Sequence, residues 1–408
     1  MIRRALNALA HGLAWFGAIV LFVLSPAIGS IGSIVGVAVA VLISPIAFHR
    51  GAWRKMQRQP ALLIFLAAFI SLAICYWATS QHPTDVLLTV NFLALPLATV
   101  VYFAAGQKPG SRTIALLAGL FAASSVAAVL MSAYDVFVLH LGRAVGIAQG
   151  GNLMARTVIL LGFMGMAGIF VTSRRWWWLY GAGLALSLLA LYLTETRGVF
   201  IAVPVLGLIL CWALLRHFRA PRGWYGAGAA LVALAVVIVG VVSPRFLALG
   251  DVFGQLATDP SKITDGAVSE RLYLLHAGWV TFLKSPLLGF GWANFADAAK
   301  PYVVYFFHND FLDMAVAAGI VGIVCWLAII AAPLIGVFAM PRDRFHLVRL
   351  YCALILSTSL FIFGLTDMTL GYDLPTTLYA FLTAIVLGAF REPTPDGAGV
   401  EAIDVPRR

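Results

Sequence analysis

Polar residues that could do chemistry are concentrated just before a long apolar run late in the chain. His308, Asn309, Asp310 and Asp313 occupy four of six consecutive positions, and the apolar run begins at Met314. Ionisable groups at the edge of a hydrocarbon layer are costly, so a specific role has to keep them there. Three roles fit the pattern: a helix cap at Asn309 or Asp310, a metal site, or an acid–base centre.

Three arginines offer anion-binding chemistry. Arg143 lies in the glycine-rich stretch GRAVGIAQGGNLMA, Arg197 in a very short turn between two apolar runs, and Arg271 in the segment SERLYLLHAGW. A guanidinium group can bind a phosphate through two parallel hydrogen bonds. Plainer explanations are a glycine-rich turn, an arginine that snorkels to lipid headgroups, and a cation balanced by Glu270 or solvent.

Several other kinds of catalytic site are excluded. The sequence contains no Walker loop, dinucleotide fingerprint or zinc motif, and its four cysteines all lie inside apolar runs. No Asp-x-Asp pair occurs in the segments that we place on the outer side of the membrane. We therefore expect a reaction that needs no metal ion and no cofactor.

The composition predicts an all-α polytopic membrane protein. The chain is 62% hydrophobic and 11% charged, whereas a soluble domain carries about a quarter charged residues. Apolar runs of about 17–20 residues mark about twelve expected transmembrane helices. These are placed near 9–28, 31–48, 61–79, 86–105, 113–133, 152–172, 176–194, 199–216, 225–242, 314–339, 350–366 and 376–390.

The distribution of charge predicts the orientation of the chain. With a cytoplasmic N-terminus, the inner segments hold more than two thirds of the 27 Lys and Arg residues and fewer than a third of the 17 Asp and Glu residues. This asymmetry follows the positive-inside rule and places both termini in the cytoplasm. The net charge of +10 therefore indicates topology and does not indicate a nucleic-acid partner.

One outer loop, 243–313, is much longer than the others. We expect it to contain short helices, one of them capped by Ser269 and lying with an apolar face on the membrane. Residues 1–390 are expected to form one transmembrane domain. The polar tail 391–408 is rich in proline and glycine and is expected to be disordered and cytoplasmic.

Three motifs together resemble the O-antigen ligase and O-antigen polymerase family. TETRGVFIAV is similar to the family's Thr/Ser-Arg-Gly turn. SERLYLLHAGWVTFLKSPLLGFGWANF is similar to its Glu-Arg helix and Ser-Pro-Leu-Leu-Gly-x-Gly segment, and HNDFLDMAVAAGIVG to its His-Asn-x-x-Leu…Gly-x-x-Gly segment. The motifs cover about 190–325 and occur in the family's order, and GRAVGIAQGGNLMA resembles the upstream glycine-rich segment.

The resemblance implies a GT-C-like glycosyltransferase of the bacterial inner membrane whose active site faces the periplasm. The donor would be a glycan on undecaprenyl diphosphate. In a ligase, the function that we expect, the acceptor is the lipid A–core oligosaccharide. In a polymerase, the alternative, the acceptor is another lipid-linked repeat unit. A more distant alternative is a lipid or solute transporter, which would place several ionisable residues at mid-span, whereas here only Arg156 lies there.

The expected chemistry assigns a role to each motif residue. A diphosphate leaves as a stable anion and needs charge stabilisation, which Arg143, Arg197 and Arg271 would supply. The acceptor hydroxyl is a weak nucleophile and needs a base near neutral pH, for which His308 is the candidate. One base and an anionic leaving group favour direct displacement with inversion at the anomeric carbon.

Further residues complete the expected site. Asp310, Asp313 or Asp367 would orient the His308 ring. The catalytic set is therefore His308, Arg197 and Arg271. The expected substrate-binding residues are Arg143, Asn152, Tyr273, Asn309, Asp310, Asp313 and Asp367.

Overall fold

The described residues form a helical bundle in this computed structural model. The described ranges are 2–47, 52–147, 150–221, 223–224, 226–228, 230, 266–302 and 304–392, and no β-strand occurs within them. The long helices are α1 Ile2–Ile19, α2 Ser30–Ala47, α3 Pro60–Thr79, α4 Ala94–Ala105, α5 Ser111–Ala133, α6 Gly151–Gly165, α7 Trp177–Thr194, α8 Ala202–His217, α9 Gly266–Lys284, α10 Asp310–Phe338, α11 His346–Thr366 and α12 Asp373–Ala389.

Short helical segments join or extend these helices. α1 continues through a π-helical turn, Val20–Leu24, and a further turn, Ser25–Ile28, while a π-helical turn, Tyr134–Val138, follows α5. The short α-helices are Ala52–Gln57, Arg197–Phe200 and Phe295–Ala298, and the 3₁₀ segments are Pro83–Phe92, Met166–Phe170, Arg174–Trp176 and Trp292–Asn294.

The expected membrane helices have counterparts in this bundle. Among the described residues, eight helical segments are long and apolar enough to cross a membrane, and three shorter apolar ones are Gly12–Ile28, Ser30–Ile46 and Asp373–Ala389. The polytopic helical class is therefore confirmed. Most of the expected span 225–242, the loop residues 243–265 and the tail from 393 onward lie outside the described residues, so the number twelve stays a prediction.

The most buried helices are α6 and α12. Every residue of α6 from Met154 to Gly165 is buried, as is every residue of α12 from Leu374 to Ala389. α6 packs against α5 and α7, and α12 packs against α4. A helix that is apolar on all sides can be buried on all sides, which gives the bundle a central core around which the polar residues of one end are arranged.

Helix α10 is broken at Ala318–Gly319, where Gly319 adopts a φ of 62°. The loop after α9 bonds to the backbone groups that the break frees: Phe290 N–H donates to Val316 O at 2.8 Å, and Gly291 N–H to Ala317 O at 2.9 Å. Since the surroundings offer little water, such carbonyls need internal partners. The SPLLGFG motif, residues 285–291, therefore packs directly on the break at the start of the GIVG motif, residues 319–322.

This contact requires glycine on both sides. A Cβ on Gly289 would lie 2.5 Å from the Val316 carbonyl oxygen, and a Cβ on Gly319 would lie 2.4 Å from the Leu287 carbonyl oxygen. Both glycines also have positive φ values, which side-chain-bearing residues rarely adopt. The interlock fixes α9 against the N-terminal part of α10, where the candidate site begins.

Two local expectations differ from the structure. Ser269 does not cap a helix, because Ala267 and Val268 already belong to α9, which includes Gly266. Arg271 is therefore outside the first turn. The expected span 86–105 is confirmed as the apolar segment Leu87–Ala105, but its first part belongs to the 3₁₀ segment Pro83–Phe92, at whose start the Asp85 carboxylate accepts a hydrogen bond from His82 N–H at 3.0 Å.

Candidate active site

His308 and Asp367 form the centre of a polar cluster at one end of α10 and α11. The Nδ1 atom of His308 lies 2.5 Å from the Oδ1 atom of Asp367. The side chain of His308 is 43% exposed, whereas that of Asp367 is 9% exposed. The arrangement holds one ring nitrogen on a buried carboxylate, so Nε2 is the nitrogen available to a substrate.

The backbone of His308 is strained. Its φ is 50°, in the left-handed region that few residues with a side chain occupy. The next residue, Asn309, caps α10: its side chain accepts a hydrogen bond from Leu312 N–H at 3.1 Å and donates one to Leu365 O at 3.0 Å. Strain of this kind persists where the surroundings enforce it, as is typical of functional sites.

Asp367 receives hydrogen bonds from several elements. Asn152 Nδ2 donates to its Oδ2 atom at 3.0 Å, Arg156 Nη2 donates to the same oxygen, and Met368 N–H donates to Oδ1 at 2.9 Å. Although burial by itself raises the pKa of Asp367, the hydrogen bond with His308 and the charge of Arg156 hold that pKa well below its usual range. The carboxylate is therefore a permanent negative charge beside the imidazole.

Arg156 lies on α6 and is 6% exposed. Besides its ion pair with Asp367, its Nη1 atom donates to Met368 O at 2.7 Å. The sequence indicated Arg156 only as a charge within a span and did not assign it to the site. An ionisable residue inside an apolar helix is itself a signal of function. The sequence did not reveal that its partner is Asp367.

Asp310 and Asp313 are fully buried and bind backbone groups. Asp310 Oδ1 accepts from Thr369 N–H at 2.5 Å and from Leu370 N–H at 3.1 Å, while Asp313 Oδ1 accepts from Phe307 N–H at 2.9 Å. Of the three aspartates that could orient His308, the one in contact is Asp367. Asp310 fixes the loop that follows Asp367, and Asp313 fixes the segment that precedes His308.

Two of the three predicted arginines lie at the same end of α11 as Asp367. Arg271 Nη1 donates a hydrogen bond to Thr366 O. The turn that carries Arg197 packs on the same residue, since a Cβ on Gly198 would lie 3.1 Å from Thr366 Cβ. The structure thus brings Arg197 and Arg271 to the residue that precedes Asp367.

The remaining predicted residues, Asn152, Arg143 and Tyr273, lie on three different elements. Thr196 Oγ1 and Asn152 Oδ1 are 3.4 Å apart, which ties the Arg197 turn to α6. Arg143 is exposed on a separate loop. Tyr273 is 44% exposed on α9, and its ring packs edge-to-face on that of Tyr302 at 5.5 Å.

Comparison with known proteins identifies a similar family. Residues 182–327 match the family model described as O-antigen ligase. This part of the chain is similar to the O-antigen ligase family. No curated protein matches the chain.

The O-antigen ligase segment does not contain the whole cluster. Arg197, Arg271 and His308 lie inside the matched range, whereas Asn152, Arg156 and Asp367 lie outside it. The carboxylate that contacts His308 is therefore supplied by a helix end that follows the matched segment. The ligase-like site is complete only when α6 and α11 pack beside it.

The cluster combines a base with a fixed orientation and cations on one side. Histidine has an ordinary pKa of about 6.5 and can accept a proton near neutral pH. Within the described ranges, no group of three or more His, Cys, Asp or Glu residues is arranged to hold a metal ion. That the reaction needs no metal ion stays a prediction that needs a direct test.

Proposed function

We propose that this protein transfers a glycan from undecaprenyl diphosphate to the lipid A–core oligosaccharide at the periplasmic face of a bacterial inner membrane. The observation that carries the proposal is the contact of His308 with Asp367 next to the Thr366 carbonyl that Arg271 binds. A base and a guanidinium group that contact adjacent residues, Asp367 and Thr366, at the end of α11 match the two needs of the reaction.

The proposed reaction is a single displacement. Nε2 of His308 takes the proton of an acceptor hydroxyl as its oxygen forms a bond to the anomeric carbon of the donor glycan. The bond from that carbon to the diphosphate oxygen breaks, and the electron pair leaves with undecaprenyl diphosphate. One displacement on the face opposite the leaving group inverts the anomeric configuration.

Asp367 and Arg156 support the base in this proposal. Ionised Asp367 stabilises the imidazolium form of His308 that arises as the hydroxyl loses its proton. Arg156 keeps Asp367 ionised and fixes its position through Met368. Asn309, Asp310 and Asp313 position the backbone on both sides of His308.

The arginines serve the leaving group. The developing negative charge on the diphosphate is stabilised by Arg197 and Arg271, whose guanidinium groups are always charged. Arg143 lies on an exposed loop from which it binds the donor before the reaction. Tyr273 and Asn152 belong to the substrate-binding surface around these cations.

Deletion of the gene tests the proposal and separates it from the polymerase alternative. We expect lipid A–core without any O-antigen in the mutant, with lipid-linked glycan still present. Lipid A–core that carries a single repeat unit would indicate a polymerase. A purified protein that transfers glycan neither to lipid A–core nor to a second lipid-linked repeat unit would contradict both enzyme functions and favour a transporter.

A further inference from the structure

A cavity of about 400 Å³ lies beside the cluster, on the side that follows Asp367 along the chain. Its lining includes Met368, which directly follows Asp367, and Tyr305, which comes three residues before His308. The proposed mechanism assigns no role to this cavity. Its volume lies within the range typical of small-molecule sites in proteins.

The walls of the cavity are rich in aromatic rings. Tyr305 is 78% exposed, and Tyr372 is 40% exposed and packs 6.2 Å from Phe306. Trp292 is held in place by an edge-to-face contact with Phe92 at 5.7 Å. Aromatic faces carry partial negative charge and attract the weakly positive C–H groups of a sugar ring.

Two polar side chains, Asn91 and Asp373, line the same cavity. The carboxylate of Asp373 accepts one hydrogen bond on each oxygen, from Ser30 Oγ at 2.8 Å and from Ser33 Oγ at 2.9 Å. These bonds fix its orientation, and each oxygen keeps a further lone pair. A fixed carboxylate and an amide beside aromatic rings can bind the hydroxyl groups of a carbohydrate.

The order of contacts at this helix end favours the acceptor over the donor as the carbohydrate bound in the cavity. Thr366 binds Arg271, the next residue contacts His308, and Met368 lines the cavity. The cations that would hold the donor diphosphate therefore precede the catalytic pair, and the cavity follows it. An acceptor sugar bound in the cavity would bring its hydroxyl to His308 from the side away from the leaving group.

We propose that this cavity is the acceptor-sugar subsite. Tyr305 and Tyr372 pack on a ring of the core oligosaccharide next to the one that is glycosylated, and Asn91 and Asp373 bind its hydroxyl groups. This inference rests on the proposed function, since it presumes a glycan acceptor.

Steady-state kinetics with purified protein test the subsite. Lipid A–core is varied at saturating undecaprenyl-diphosphate-linked glycan, and this donor is then varied at saturating lipid A–core. Loss of one aromatic face in Tyr305→Ala should raise the KM for lipid A–core about tenfold, with kcat and the donor KM nearly unchanged. Tyr305→Phe keeps the ring and should raise that KM far less.

A matched control is Trp178→Ala, which removes a 67% exposed aromatic ring. Trp178 lies at the start of α7, whereas the Arg197 turn follows the end of that helix. It should leave both KM values unchanged. An unchanged acceptor KM in the double variant Tyr305→Ala/Tyr372→Ala would overturn the subsite. So would a rise in the donor KM alone.

A binding measurement separates failure of the subsite from failure of the proposed function. Delipidated core oligosaccharide is titrated into the His308→Ala variant, in which no turnover occurs. The double variant His308→Ala/Tyr305→Ala should bind the core oligosaccharide about tenfold more weakly than His308→Ala alone. Equal affinity of the two variants would overturn the subsite. Absence of transfer by the wild-type protein would instead contradict the proposed function.

Discussion

Arg156 and Asp367 form a buried ion pair that joins the interior of α6 to the end of α11. The two residues are 211 positions apart in the chain. Asp367 uses its other carboxylate oxygen to contact His308, so a residue of α6 acts on the base through an intervening carboxylate. The two charges are shielded from solvent and are worth more to each other there than on a surface.

Removal of the Arg156 charge should impair both stability and transfer. Arg156→Ala leaves a buried carboxylate without its cation, and breaking a buried pair in this way costs about 3–5 kcal/mol. Arg156→Lys should restore only part of the activity, since an ammonium group cannot bind Asp367 and the Met368 carbonyl with one planar fork.

A double-mutant cycle with Asp367→Asn checks this prediction. If the two residues act as a pair, the double variant should be no worse than the poorer single variant in transfer rate and in melting temperature. Strictly additive effects would show that Arg156 acts independently of Asp367.

His308→Ala should lose glycan transfer while the protein still folds and binds donor. Loss of one general base costs about 10²–10⁴ in rate. His308→Gln should fail as well, because its amide can hydrogen-bond to a hydroxyl but cannot take its proton. A Gln variant with wild-type turnover would mean that His308 only positions the acceptor.

The rate of transfer should rise between mildly acidic and neutral pH and then level off. The depressed pKa of Asp367 means that its stabilising charge is fully present above the usual carboxyl range. This charge is lost only as the pH falls through the lowered value. An acid limb above the usual carboxyl range therefore does not report Asp367, and a limb that persists in His308→Gln would contradict the assignment of His308 as the base.

Arg197→Ala and Arg271→Ala should each raise the donor KM and lower kcat. Both changes remove a cation that stabilises the diphosphate in the bound state and during its departure. Lys at either position should rescue partly, because it lacks the two parallel donors of a guanidinium group. The matched control is Arg174→Ala, which alters an exposed arginine in the 3₁₀ segment that precedes α7. Full activity in Arg197→Ala would favour a headgroup contact for Arg197.

Transfer should persist in excess chelator. In metal-dependent enzymes a divalent ion can stabilise the charge of the leaving group. Here the guanidinium groups of Arg197 and Arg271 are expected to stabilise the diphosphate instead. Purified protein is assayed before and after chelation with Mg²⁺ or Mn²⁺ added back. Activity that disappears and returns with the metal would contradict the mechanism.

Gly319→Ala should destabilise the fold by about 1–3 kcal/mol or more, since the residue holds a positive φ and contacts the Leu287 backbone. Thermal unfolding of the purified protein measures the effect. Gly181→Ala is the matched control, because a Cβ there meets nothing within 4 Å. Equal melting temperatures for the two variants would contradict the interlock.

The sequence predicted the residues of the site better than their contacts. Asn309 was one of two candidates for the cap of α10, and the hydrogen bond from Leu312 N–H confirms it. Which aspartate contacts His308 could not be predicted, because Asp310 and Asp313 share its helix end while Asp367 is distant in sequence. All three were candidates, and only the packing of α11 on α10 decides between them.

The break in α10 was also beyond the sequence pattern. The run from Met314 to Phe338 is apolar throughout and predicts one continuous helix. A single glycine such as Gly319 is tolerated within a continuous helix and does not predict a break. The break needs the loop after α9 to supply hydrogen-bond donors, and no local pattern in α10 carries that information.

The break ties both parts of α10 to one loop. Residues Asp310–Ala317 are fastened to the loop after α9 through the Val316 and Ala317 carbonyls, and Ile320 N–H, just past the break, donates to Pro286 O at 2.8 Å. Helices accommodate a thicker or thinner membrane by tilting at modest cost. Because the loop holds both sides of the break, His308 would keep its position relative to that loop when α10 tilts in membranes of different composition.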